Sequence, residues 1–172
     1  MAIQVGSPAP NLTGTDQNGQ TVHITDYLGR YLVVFFYPKD GTAVCTKEAC
    51  LFRDAYEDFL EDGAAVIGVS ADSESSHQSF AATQRLPYPL VSDRDGTWRA
   101  GFGVPKTLWF LPGRVTYLID PAGQVRNIVQ SALDAERHVR ETRQVLHALR
   151  QEASLSSDEP TGRGAQQEAT SS

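Results

Sequence analysis

The sequence predicts a three-layer α/β domain, and three observations carry that reading. Tyr31–Tyr37, Ala64–Ser70 and Arg114–Asp120 are apolar, strand-rich runs; the first two are continuous enough for central strands buried on both faces. Segments with helical spacing lie between the runs. After the third run, the Pro121-Ala122-Gly123 turn and an extended stretch from Gln124 to Gln130 form a hairpin, followed by a last helix. Strands alternating with helices place helices on both faces of one sheet.

Each element has its local reason. Ser7-Pro8-Ala9-Pro10-Asn11 is extended, because two prolines fix φ and bias their neighbours away from helix. Gln20–Ile24 is a short strand, with Gly14 and Gly19 nearby for turns. Pro38-Lys39-Asp40-Gly41 ends the Tyr31–Tyr37 strand. A helix then begins near Thr42. Leu51, Phe52, Ala55, Phe59 and Leu60 recur at helical spacing as far as Asp62, and Gly63 stops the helix. After the Ala64–Ser70 strand, a helix fits Ser73–Gln84. Leu90-Val91 is a short strand before the Ser92-Asp93-Arg94-Asp95-Gly96 turn, and Thr97–Phe102 a short helix. Leu133, Arg137, Arg140 and Gln144 mark the final helix, with Val139, Leu146 and Leu149 on its apolar face. The domain spans residues 1–151. Residues 152–172 hold one leucine and no aromatic residue, too little apolar surface to offset the entropy of ordering, and read as a disordered tail.

Composition narrows the function. The chain has 172 residues, 40% hydrophobic and 21% charged, with a formal net charge of −6, as expected of one globular domain. No basic block stands out, which argues against a nucleic-acid partner. The longest apolar run, Tyr31–Tyr37, is far short of the roughly 18 residues a spanning helix needs. The first residues lack a basic and an apolar signal region, so the expected location is cytoplasmic.

Both cysteines lie in Thr42–Cys50, "TAVCTKEAC". A zinc site usually needs four ligands, often as two close pairs; here there is no second pair, and His23, His77, His138 and His147 are all remote in sequence. A permanent disulfide is equally awkward. Five residues along a helix separate the Cα atoms by about 8–9 Å, and a disulfide needs less than about 7 Å. A redox switch fits better: both thiols sit in a helix when reduced, and the first turns open when oxidised. Cys45 falls in the first turn, where free N–H groups and the helix dipole favour an anion and can lower a thiol's pKa. Cys50, a turn further in, lacks that help and is the partner that closes the disulfide. On these residues alone, two small buried hydrophobes remain an alternative.

"FFYPKDGTAVCTKEACLFRD" resembles the active-site segment of the peroxiredoxins, and more narrowly the bacterioferritin comigratory protein or peroxiredoxin Q group. The likeness extends over about Gly6 to Gln151, through "GSPAPNLTGTDQNGQTVHITDYLGRYLVVFFYPKD" and "GVPKTLWFLPGRVTYLIDPAGQVR". It implies a thioredoxin-like fold with a central mixed sheet and an N-terminal β-hairpin. It also implies a thiol peroxidase acting on hydrogen peroxide and organic hydroperoxides, with no cofactor and no metal, recycled by thioredoxin or a similar dithiol, and monomeric. In the P-x-x-x-T-x-x-C pattern, Cys45 matches the peroxidatic cysteine, Thr42 the hydroxyl that bonds thiolate and peroxide, and Pro38 the residue that shields them from water. Arg114 matches the active-site arginine and Cys50 the resolving cysteine of a subset of the group. The group's usual Thr-Pro-Gly-Cys is here Thr42-Ala43-Val44-Cys45, which keeps the helix but loses the proline's preset entry. Arg53 is an alternative cation near the thiols, or a salt-bridged helix residue. Glu48 either positions the first turn or is a solvated helix residue. The Thr107–Gly113 segment around Trp109 is either an apolar loop for organic hydroperoxides or a reductase, or a flap on the core. A redox-sensing or holdase-like binding protein is the rival reading of the same switch.

Overall fold

The structure, a computed structural model, describes residues 3–107 and 111–157. Five strands form the central sheet in the order β5-β4-β3-β8-β9. They are β3 (Tyr31–Phe36), β4 (Ala64–Ser70), β5 (Leu90–Ser92), β8 (Val115–Ile119) and β9 (Val125–Gln130). β3, β4 and β5 are parallel, β8 runs antiparallel to β3, and β9 pairs back on β8. The sheet is therefore mixed, as expected. Every residue of β3, β4 and β8 is buried, which explains their unbroken apolar runs.

Alternation along β3 splits the core in two. Tyr31, Val33 and Phe35 face one side, with Phe52, Phe59, Tyr88, Val139 and Leu146. Leu32, Val34 and Phe36 face the other, with Val22, Ile24, Trp98, Phe102 and Tyr117. The first layer is covered by α1 (Ala43–Asp54), α2 (Tyr56–Glu61), α3 (Glu74–Gln84) and α5 (Ala135–Ser157). The second is covered by α4 (Thr97–Phe102) and by the N-terminal hairpin of β1 (Thr13–Thr15) and β2 (Thr21–His23). A further two-stranded sheet joins β6 (Lys106–Thr107) to β7 (Leu111–Pro112). Among the described residues, no helix is long and apolar enough to cross a membrane.

Three boundaries differ from the sequence reading. The helix expected to run on to Asp62 breaks at Ala55, whose φ of −94° and ψ of 1° leave the helical region. The break re-aims α2 so that Phe59 packs on Phe52, their ring centroids 5.8 Å apart. Gln20–Ile24 shortens to a three-residue strand followed by a 3-10 turn over Ile24–Tyr27. The last helix does not stop at Gln151 but reaches Ser157. Extending a long helix adds one bond per residue fixed, so it needs little packing, and residues 151–155 are exposed. The rest of the expected tail, residues 158–172, and Trp109 with the centre of its loop lie outside the described residues.

Candidate active site

The buried face of α1 builds the site. Cys45, Glu48, Ala49 and Phe52 are its buried residues, at positions i, i+3, i+4 and i+7 of one helical stripe. Gly41, at φ +80°, makes the turn that leads into the helix, a conformation other residues rarely adopt. Thr42 is the N-cap and Ala43 the first helical residue, so the helix forms without the group's usual proline. Cys45 is the third residue of α1, within the turn of unpaired N–H groups.

The sheet register delivers the cation. Phe36 pairs with Val115, so Arg114 sits level with the end of β3, where the chain leaves for α1. Arg114, Thr116 and Leu118 alternate onto the face that α1 and α5 cover. Arg114 is 5% exposed. Its Nη2 donates to Cys45 Sγ at 3.1 Å, its Nη1 to Glu48 Oε1 at 2.7 Å and its Nε to the Ala132 carbonyl at 2.9 Å. Burial opposes its charge, but Glu48 and Cys45 beside it more than offset that and hold its pKa above the ordinary value.

Glu48 is fully buried rather than a solvated helix residue. Burial pushes its carboxyl from 4.5 up to about 7, with Arg114 pulling the other way. Because the folded value is the raised one, this group's contribution to stability is complete below pH 4.5 and is lost as pH climbs to about 7. A shift from 4.5 to about 7 corresponds to an upper bound of roughly 3–4 kcal/mol. Denaturant unfolding at about pH 5 and about pH 8 is expected to show this loss in the wild-type protein and a smaller one in Glu48→Gln. An identical pH dependence in the two proteins would contradict it.

The other expected site residues are placed as follows. Thr42 is exposed, and its hydroxyl donates to the Lys39 carbonyl at 3.1 Å rather than towards the thiol. Its extended backbone, φ −76° and ψ 157°, is the usual N-cap conformation. Pro38 is half-buried just after β3. Cys50 is half-buried, and its thiol donates to Gln84 Oε1 at 3.3 Å. Arg53 stands on the Cys50 side, bonded to Asp54 and to the Gln84 carbonyl, so Arg114 and not Arg53 is the cation at Cys45. Both cysteines are free, and α1 is helical through both.

A clamp that the sequence did not suggest fixes the loop entering α1. Asp40 accepts bonds from the Tyr37 hydroxyl at 2.6 Å and Ser76 Oγ at 2.8 Å, and its Oδ2 lies 2.7 Å from His77 Nδ1. Its backbone N–H donates to Asp72 Oδ2 at 2.6 Å. Burial opposes the Asp40 charge, but the bonds from His77, Tyr37 and Ser76 outweigh it and keep its pKa below the ordinary value. Asp40, Asp72 and His77 form a cluster of metal-binding residue types, yet their donors and acceptors already serve this loop.

A buried thiol in the first helical turn after β3, held by an arginine from the neighbouring antiparallel strand of a thioredoxin-like sheet, defines the peroxiredoxin class. Comparison with known proteins agrees. The profile described as the AhpC/TSA family matches residues 5–128. The chloroplastic peroxiredoxin Q of Gentiana triflora is 46% identical over 147 residues, 85% of this chain and 68% of that protein. That of Oryza sativa subsp. japonica is 45% identical over 148 residues, 86% and 68% of the two chains. Among solved structures, peroxidoxin BcpB from Mycobacterium tuberculosis superposes with a TM-score of 0.79 at 34% identity, over 86% of this chain and 98% of that one. A Xanthomonas campestris peroxiredoxin Q gives 0.77 at 30% identity, over 86% and 97%. The chain belongs to the AhpC/TSA family, as a thiol peroxidase of its peroxiredoxin Q group. These likenesses do not favour the redox-sensing binding protein.

Proposed function

We propose that the chain reduces hydrogen peroxide and organic hydroperoxides through Cys45 and is recycled by an external dithiol such as thioredoxin. The Cys45 thiolate attacks the terminal peroxide oxygen. The S–O bond forms as the O–O bond breaks, giving a sulfenic acid and an alkoxide or hydroxide that takes up a proton. Cys50 then condenses with the sulfenic acid, forming the disulfide and releasing water. The dithiol reduces that disulfide by exchange.

The observation that carries the reading is the 3.1 Å bond from Arg114 Nη2 to Cys45 Sγ in a buried site. A guanidinium there stabilises sulfur in its anionic form, the form that is nucleophilic. In this reading Arg114 also polarises the peroxide oxygen. Thr42 turns its hydroxyl from the Lys39 carbonyl to the incoming peroxide, and Pro38 keeps water off the thiolate. Cys50 resolves, which its half-buried place against Gln84, the last residue of α3, leaves possible only after α1 opens.

Peroxide consumption, with and without a dithiol, is the test. The wild-type protein is expected to turn over repeatedly with thioredoxin. Cys50→Ser is expected to consume about one equivalent of peroxide and stop as a sulfenic acid, captured by a sulfenate-selective reagent. Trapping no greater than in wild type would remove Cys50 from the resolving role, and no peroxide consumption by the wild-type protein would overturn the reading itself.

A further inference from the structure

The site holds one buried cation and two groups able to be its anion. Arg114 lies 3.1 Å from Cys45 Sγ and 2.7 Å from Glu48 Oε1. Cys45, Glu48 and Arg114 are 1%, 0% and 5% exposed. Ionising both neighbours would place two anions against one cation away from water, and ionising neither would leave the guanidinium uncompensated; both arrangements are costly. The neutral arrangement has one negative charge and one proton divided between the thiol and the carboxyl.

The second carboxyl oxygen offers that proton a place. Glu48 Oε2 is buried and makes no hydrogen bond among the described residues. It faces His138 Nδ1 at 3.4 Å. His138 is fully buried on α5. Its Nε2 lies 2.8 Å from the Ser131 carbonyl, which only accepts, so Nε2 carries a hydrogen. Burial lowers the pKa of the ring, which leaves Nδ1 as the acceptor nitrogen. The Thr116 hydroxyl, 2.7 Å from Nδ1, is the donor to that nitrogen while Glu48 is ionised.

We propose that Glu48 is the charge-balancing partner of Cys45, and that His138 is a positioning residue that accepts the Glu48 proton. When the thiol ionises, its proton is balanced by one taken up at Glu48 Oε2, which donates to His138 Nδ1 in place of the Thr116 hydroxyl. Cys45–SH and Glu48–COO⁻ become Cys45–S⁻ and Glu48–COOH, Arg114 stays protonated, and no electron moves. Attack on a peroxide then makes the sulfur neutral. Glu48 ionises again, and the proton it gives up matches the one the departing alkoxide or hydroxide needs. The raised pKa of Glu48, about 7, agrees with a carboxyl that holds a proton near neutral pH.

The ionisable groups facing Glu48 are Cys45 on its own helix, Arg114 before β8, His138 on α5 and Tyr88 before β5. Those acting on His138 are Arg114, Arg137 and Asp134. Of these, His138 Nδ1 is the neutral acceptor placed 3.4 Å from Glu48 Oε2.

The proposal rests on the peroxidase reading for its purpose, but its test needs no peroxide. The pH profile of Cys45 alkylation is measured in the Cys50→Ser background, so that one thiol is read. Glu48→Gln keeps an oxygen for Arg114 but removes the competing charge, and is expected to move the profile at least about one unit to lower pH. His138→Leu removes the acceptor and is expected to move it about one unit higher, a tenfold loss of thiolate on the rising limb. His138→Asn keeps an acceptor near Nδ1 and is expected to recover most of that loss. In Glu48→Gln with His138→Leu the histidine effect disappears, which a merely structural role would not produce. A Glu48→Gln profile at higher pH, an unmoved His138→Leu profile, or a histidine effect that survives in the double variant would each overturn the proposal. Should the variants not fold, infrared difference spectra of the wild-type protein decide it. Oxidation near neutral pH should remove one protonated-carboxyl C=O band, and an unchanged carboxyl region overturns the proposal. An intact alkylation pattern without peroxide consumption would instead count against the peroxidase reading.

Discussion

Cys45→Ser is expected to abolish peroxide turnover, with a fall of at least about a thousandfold. The reaction needs a sulfur anion that can accept an oxygen and pass to a sulfenic acid, and a serine hydroxyl can do neither at neutral pH. Among the described residues, Cys50 is the other thiol, and it cannot substitute. It is half-buried, bonded to Gln84 Oε1 rather than to a cation, and lies about 140° round the helix from Cys45. The substitution leaves Arg114 its 2.7 Å ion pair with Glu48, and one buried atom changes. The fold should therefore persist, and unfolding of the variant should track the wild type within about 1–2 kcal/mol. Steady-state peroxide consumption with thioredoxin as reductant, beside a denaturation curve, separates loss of chemistry from loss of fold. Near wild-type turnover would sink Cys45 as the nucleophile.

Much of this architecture is legible in the chain because its physics is local. β3, β4 and β8 are buried on both faces and so are written as continuous apolar runs. Ser73 caps α3, its Oγ accepting from the Ser76 N–H at 3.1 Å. β6 and β7 are two residues long, too short to show a period, and the three-residue β1 enters only through the hairpin that the resemblance implies. The site was legible only in part. Cys45 announces itself by its place after Gly41 at the head of a helix. Glu48 also carries a signal, since it shares the stripe of Cys45, Ala49 and Phe52, but a carboxylate reads as solvated until its counter-ion is known. That counter-ion, Arg114, is 66 residues away, and only the register of β3 against β8 brings it near. His138 is hidden for the same reason: its partners Thr116 and Glu48 come from a strand and a helix far from α5 in sequence. The break at Ala55 depends on where Phe59 must land, which is a property of the packed core.

Oxidation to the Cys45–Cys50 disulfide is expected to unwind α1 from its N-terminus to beyond Cys50. In the reduced protein both residues lie within the helix Ala43–Asp54. Regular geometry holds their Cα atoms about 8–9 Å apart, whereas a disulfide spans less than about 7 Å. One of the two must therefore leave the helix. The N-terminal end is the part able to do so, because residues 41–43 are exposed and Val44 is only half-buried, so few apolar contacts are lost there. The unwinding reaches further than the two sulfurs. It takes the Cys45 sulfur from Arg114, breaks the Cys50 bond to Gln84, and strains the bond by which the Tyr88 hydroxyl donates to the Ala49 carbonyl. Leu51, half-buried against the core, and the fully buried Phe52 follow in the sequence and become more exposed, giving a dithiol reductase an apolar surface beside the bond it must reach. Hydrogen exchange on reduced and oxidised protein, with the disulfide verified by mass, reads this directly. Amides from about residue 46 to residue 52 should lose protection on oxidation, while β3 and β4 keep theirs, because a sheet buried on both faces opens only globally. Equal protection of α1 in the two states would mean that the sulfurs meet without unwinding, and the geometric argument would fail.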